Sequence, residues 1–112
     1  MKFNKLVRDK IPEIIAADGK KAVTRILTDE EYKIYLEKKL DEEVAEFHES
    51  KSIEELADIL AVVYALSEVD NTIYNLLAVW NEKTVNCGGF TKKILLEEIC
   101  EEGEDNEQRE AD

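Results

Sequence analysis

An all-α fold of about four helices is predicted by three features of the sequence. The run from Leu56 to Leu66 carries one charge, Asp58, and is too long and too rich in Leu and Ala for a typical buried strand. Two capping boxes, Thr28-Asp-Glu-Glu31 and Ser52-Ile-Glu-Glu55, mark helix starts. Between them, Tyr32, Leu36, Leu40, Val44 and Phe47 recur at helical spacing. At 112 residues the chain has the length of one domain.

In chain order, residues 1–11 interleave charge with Phe3, Leu6, Val7 and Ile11. Pro12 suits the first turn of a short helix reaching about Ala17, which Asp18-Gly19 ends. Residues 20–27 read as a connector or a short extended piece. A long helix is expected from the Thr28 cap to about Glu49, then a tight loop around Ser50 to Ser52. The second capping box opens a helix from Ile53 to about Glu68. Angles of 100° per residue put apolar side chains all round it, so it is expected to be buried on all sides, in a core or an oligomer interface. Asp70 reads as the N-cap of a further helix, about Asn71 to Asn86, with Ile73, Leu76, Leu77 and Trp80 as its core stripe and Val79 or Trp80 facing a partner subunit. Cys87-Gly88-Gly89-Phe90 ends it, because paired glycines supply left-handed backbone. Phe90, Ile94, Leu95 and Leu96 restore an apolar rhythm. The domain is placed at residues 1–96, and residues 97–112 read as an acidic, disordered tail.

The net charge of −12 is unevenly spread. The last 16 residues hold nine acids and one Arg, whereas residues 1–26 hold seven basic and three acidic groups. The acidic balance speaks against a nucleic-acid binder, and the basic N-terminus suits a small phosphorylated ligand. No run approaches the ~20 apolar residues of a membrane span, and no signal peptide is evident. Two cysteines, Cys87 and Cys100, form neither a disulfide framework nor metal spacing, which fits a reduced, cytoplasmic protein. His48, the single histidine, reads as a surface residue near a helix end rather than a catalytic one.

Asp58 is the anomaly on its apolar helix. A carboxylate buried there has to be paired, protonated or bound to metal. Glu55 lies three residues earlier, on the same face. The preceding helix offers Glu43 at the edge of its apolar stripe and Glu46 one turn on. A short loop makes the two helices an antiparallel hairpin, so the two pairs can face each other. Four carboxylates so placed repel one another unless a hard cation, Mg²⁺ or Mn²⁺, neutralises them. Lys5, Arg8 and Lys10 read either as solvated surface or as a phosphate clamp, and Arg8 beside Asp9 suits an ion pair.

Glu43-Val-Ala-Glu46 followed by Glu55-Leu-Ala-Asp58 resembles the E-x-x-E…E-x-x-D signature of the MazG-like, all-α nucleoside triphosphate pyrophosphohydrolases. Asn4-Lys-Leu-Val-Arg-Asp-Lys-Ile-Pro-Glu-Ile-Ile15 and Gly88-Gly89-Phe90 are similar to a small, phosphoribosyl-ATP pyrophosphohydrolase-like branch, and the resemblance covers about residues 3–96. It implies a helical bundle completed by oligomerisation, as a homodimer or homotetramer, with Mg²⁺ held by Glu43, Glu46, Glu55 and Asp58. It further implies that Glu43 or Glu46 orients or deprotonates the attacking water. Asn81 and Lys83 match an Asn-x-Lys element associated with substrate binding. Two departures stand out: only eight residues separate Glu46 from Glu55, and Cys87 stands where relatives often carry Arg before Gly-Gly-Phe.

The expected function is Mg²⁺-dependent cleavage of a nucleoside triphosphate between the α- and β-phosphates, giving monophosphate and pyrophosphate in nucleotide-pool house-cleaning. Arg8, Lys10 and Lys83 would hold the pyrophosphate, with Lys5, Asn81, Gly88, Gly89 and Phe90 as further substrate contacts. One alternative is phosphoribosyl-ATP hydrolysis. Another is a non-catalytic helical oligomerisation or nucleotide-binding module, in which Asp58 is protonated or pairs with Lys or Arg.

Overall fold

A computed structural model of the protein describes residues 4–69 and 73–101, with backbone alone at residues 73 and 74. The described residues form four helices and no strand: α1 (Ile11–Ala17), α2 (Asp29–Ser50), α3 (Ile53–Val69) and α4 (Ile73–Cys87). The fold is all-α. The chain divides into two units, Met1–Leu76 and Leu77–Asp112.

In the first unit, α1 starts with Pro12 in its first turn and ends at Asp18, and Gly19 leaves it with φ +79°. The connector after it is irregular. Helix α2 begins with the expected capping box: Glu31 N–H donates to Thr28 Oγ1 at 3.2 Å, and Thr28 N–H donates to Glu31 Oε1 at 3.0 Å. Arg25 adds two hydrogen bonds to the Glu31 carboxylate, both at 3.0 Å. These bonds hold Glu31 well below the usual carboxylate range, at about 2: the Arg25 hydrogen bond contributes most, then the Thr28 backbone.

Lys51 closes α2 in left-handed conformation (φ 56°), its N–H donating to Phe47 O at 2.8 Å. A loop of two residues follows, so α2 and α3 return antiparallel and pack along each other as a hairpin. On α2 the inward stripe is Leu36, Leu40, Val44 and Phe47, all buried or half-buried. On α3 it is Ile59, Val62, Leu66 and Val69. Leu36 and Val62 are the buried apolar residues among the described residues. Burial of one such side chain contributes about 1.5–3 kcal/mol, so the hairpin rests on a small core.

The apolar surround of α3 does not translate into burial on every side. Ile53, Leu56, Leu60 and Tyr64 recur at helical spacing and are exposed. Helix α2 covers the opposite stripe, and apolar composition alone does not say what lies against the remaining faces. An exposed stripe of this kind is a feature of interaction surfaces.

In the second unit, Gly88 follows α4 with φ +83°, and its N–H donates to Thr84 O at 2.9 Å. This is the left-handed helix end that the glycine pair predicts. The anticipated core stripe of α4 is corrected at two positions, since Leu77 and Trp80 are exposed. Helical spacing tells which residues share a face, not whether that face is covered. Val79, Phe90, Ile94, Leu95 and Leu96 are exposed as well, and residues 97–101 are irregular. The expected Asp70 cap, the helix start at Asn71 and the tail from residue 102 lie outside the described residues, as does the Ile73 side chain.

Candidate metal centre

The hairpin brings its carboxylates together near the loop. Glu46 lies near the end of α2 and Glu55 in the first turn of α3, and Glu43 and Asp58 lie three residues further from the loop along their helices. Carboxylate oxygens of Glu43, Glu55 and Asp58 all fall within 4.8 Å of one another. A second group on α2 alone joins Glu42, Glu43 and Glu46 within the same limit. Glu43 is common to both and is 6% exposed. Of the four carboxylates predicted as ligands, three therefore meet in one cluster. Glu46 is exposed and stands beside it, close enough for its charge to act on Glu55.

Local capping explains why Glu55 faces the cluster. Its N–H donates to Ser52 Oγ at 3.2 Å, which is one half of the predicted capping box. The reciprocal half is replaced, because Ser52 N–H donates to Ser50 Oγ at 3.2 Å. The Glu55 carboxylate is thereby released from the cap. Its Oε2 is buried and accepts no hydrogen bond from the described residues. Loss of solvent pushes the Glu55 carboxyl above its ordinary value, reinforced by the charge of Glu46, a hydrogen bond with Glu43, and the charges of Glu43 and Asp58.

Cations border the cluster. Arg8 Nη2 donates to Asp58 Oδ1 at 2.7 Å, so Arg8 pairs with Asp58 on α3 rather than with its neighbour Asp9. Asp58 itself is not deeply buried, its side chain being 36% exposed. The N-terminal segment thus lies across the hairpin, with Lys5 Nζ 3.6 Å from Glu42 Oε1. Lys39 Nζ is 2.7 Å from Glu42 Oε1 and 3.6 Å from Glu43 Oε2. Burial opposes the Lys39 charge, but the Glu42 hydrogen bond and the charges of Glu42 and Glu43 outweigh it and raise the lysine pKa. The Lys39 hydrogen bond likewise lowers the Glu42 carboxyl, against partial desolvation and with help from Lys5.

Glu42 and Lys39 are the participants that sequence reasoning missed. The signal that could have found Lys39 is its position four residues before Glu43, on the same helix face. Lys10 is exposed at the start of α1. Asn81, Lys83, Gly88, Gly89 and Phe90 belong to the second unit and are exposed there. His48 is an exposed residue in the last turn of α2, tilted against Phe47 with ring centroids 6.1 Å apart. Both cysteines are free thiols.

Oxygen-only donors, several of them anionic, are what Mg²⁺ or Mn²⁺ requires. An unpaired buried carboxylate oxygen among like charges fits such an ion as well. Two partly occupied demands compete with it: Lys39 neutralises part of the Glu43 side, and Arg8 takes one oxygen of Asp58.

No described helix is long and apolar enough to cross a membrane. No family model matches the chain, and no solved structure matches it. A protein of Mycolicibacterium smegmatis (strain ATCC 700084 / mc(2)155), described as uncharacterized, is 61% identical over 41 residues. That stretch makes up 37% of this chain and 42% of the relative, so the chain spans less than half the length of the protein it matches.

Proposed function

We propose that the protein is a metal-dependent nucleotide pyrophosphohydrolase of the MazG-like kind, converting a nucleoside triphosphate and water to the monophosphate and pyrophosphate. The observation that carries this reading is the meeting of Glu43, Glu55 and Asp58 within 4.8 Å around a buried, unpaired Glu55 oxygen. Glu43, Glu55 and Asp58 would hold Mg²⁺ or Mn²⁺, with Glu46 beside them. The ion supplies the positive charge that lets an acidic site accept a polyphosphate and stabilises the charge that builds up during cleavage.

The chain's own residues divide the remaining work. Glu46 is exposed at the rim, which suits it to orient a water molecule or take its proton. Glu43 is buried between the metal cluster and Lys39, which suits it to hold the ion in place. Lys5 and Arg8, which reach Glu42 and Asp58, and Lys10 close by in the same segment would meet phosphate oxygens. The exposed stripe of α3 and the exposed Val79 and Trp80 suit assembly into a homodimer or homotetramer, and the chemistry needs only a cytoplasmic supply of nucleotide and Mg²⁺. Phosphoribosyl-ATP is the alternative substrate, of the same chemical class.

One observation favours the non-catalytic module instead. Asp58 has a protein partner, Arg8, as that alternative requires. The deciding experiment is a nucleotide panel with Mg²⁺ or Mn²⁺ that includes phosphoribosyl-ATP and resolves monophosphate and pyrophosphate from diphosphate and phosphate. Pyrophosphate release that disappears in Glu55→Gln supports the hydrolase. No turnover of any nucleotide would leave the helical module as the better account.

A further inference from the structure

We infer that Arg8 is an internal placeholder in the metal site: it neutralises Asp58 while no cation is bound, and an arriving divalent cation displaces it. The inference rests on the metal-site reading above and adds an order of events to it. Three observations support it.

The first is position. Arg8 Nη2 lies 2.7 Å from Asp58 Oδ1, and Asp58 is one of the three carboxylates that converge within 4.8 Å. A guanidinium at that oxygen and a divalent ion in the cluster compete for the same negative charge, and their positive charges repel. The second is the contrast between neighbours. Asp58 has a cation and Lys39 serves Glu42 and Glu43, while the buried Oε2 of Glu55 has no hydrogen-bond partner among the described residues. The built-in cations thus compensate Asp58 and Glu43 and leave Glu55 uncompensated, which is where an ion has most to gain.

The third is the exposure of the attachment. The Arg8 side chain is 64% exposed, and it reaches α3 from an irregular segment preceding α1. An exposed pair of this kind is weak, so solvent can take over the guanidinium at little cost. A half-buried lysine such as Lys39, at 18% side-chain exposure, has no comparable exit. Once displaced, Arg8 stands beside the cluster as an uncompensated cation, able to meet a phosphate oxygen. The metal therefore comes first, and the arginine becomes available to an anionic ligand second.

The test is calorimetric titration of Mn²⁺ into the full chain, without nucleotide, for wild type, R8Q, R8K and E55Q. The placeholder predicts that R8Q binds Mn²⁺ more tightly than wild type, by about fivefold, the equivalent of losing an exposed ion pair of about 1 kcal/mol. R8K keeps a cation and should stay close to wild type. A purely structural role for Arg8 predicts the opposite sign, since loosening the N-terminal segment would weaken the site. Equal or weaker Mn²⁺ binding by R8Q, with wild type binding and E55Q impaired, overturns the placeholder and leaves the metal site intact. Absence of Mn²⁺ binding by wild type overturns both.

Discussion

Asp58→Asn separates two roles of one carboxylate. In EDTA the substitution removes the charge that Arg8 meets at 2.7 Å, between side chains 64% and 36% exposed. Solvent screens such a pair, so its loss costs no more than about 1 kcal/mol. For a domain of this size that lowers Tm by at most about 4–8 °C. The metal contribution is larger. With Mn²⁺ at about 100 times its Kd, wild type gains about 2.7 kcal/mol by mass action, a rise of about 11–22 °C on the same scale. The variant has one anionic ligand fewer and should lose most of that rise. Thermal unfolding followed by far-UV circular dichroism, with EDTA and with Mn²⁺, reads both numbers. A variant that responds to Mn²⁺ as strongly as a responsive wild type would refute Asp58 as a ligand. A drop in EDTA well beyond 8 °C would refute the estimate for the exposed pair.

Further outcomes are expected at two sites, Glu55 and the α2 cap. Glu55→Gln should raise the Tm of the metal-free protein at pH 7 and abolish its response to metal, because it removes one charge from a cluster of like charges. The Glu55 carboxyl is raised above its ordinary 4.5, mainly by desolvation, so its contribution to stability is full below that value and is lost as pH rises through the folded value. Metal-free wild type should lose stability over that interval while Glu55→Gln does not; parallel pH profiles would count against the clustering. At the α2 cap the sign is opposite. Glu31 is lowered to about 2, so its contribution is present above 4.5 and disappears as pH falls through about 2. Glu31→Gln should flatten that acid limb in a pH titration of unfolding, and Thr28→Ala should cost about 1 kcal/mol by removing the cap; acid limbs of equal slope would count against the hydrogen bonds of Glu31 to Arg25 and Thr28.

Much of the fold was legible because its signals are local. The Thr28 and Ser52 caps, Pro12 in the first turn of α1 and Gly88 after α4 act within a few residues, so the order of residues is enough to place them. The convergence of Glu43, Glu55 and Asp58 was also legible. Helical spacing and a short loop together fix which faces of two antiparallel helices meet. The exposure of Trp80 and Leu77 was not legible, since periodicity describes a face and not its cover.

The sequence by itself determined the helices, their hairpin and the acidic character of the seam. Only the tertiary structure decided how that charge is balanced. Arg8 is separated from Asp58 by two helices, and no spacing rule links an irregular N-terminal segment to a position on α3. Lys39 is a helix neighbour of Glu43, but whether it turns to solvent or to the cluster depends on what the hairpin buries. The freedom of Glu55 rests on one hydrogen bond, Ser52 to Ser50, that displaced the other half of a capping box. Ion pairing and desolvation depend on distances through space, and those exist only after the chain has folded.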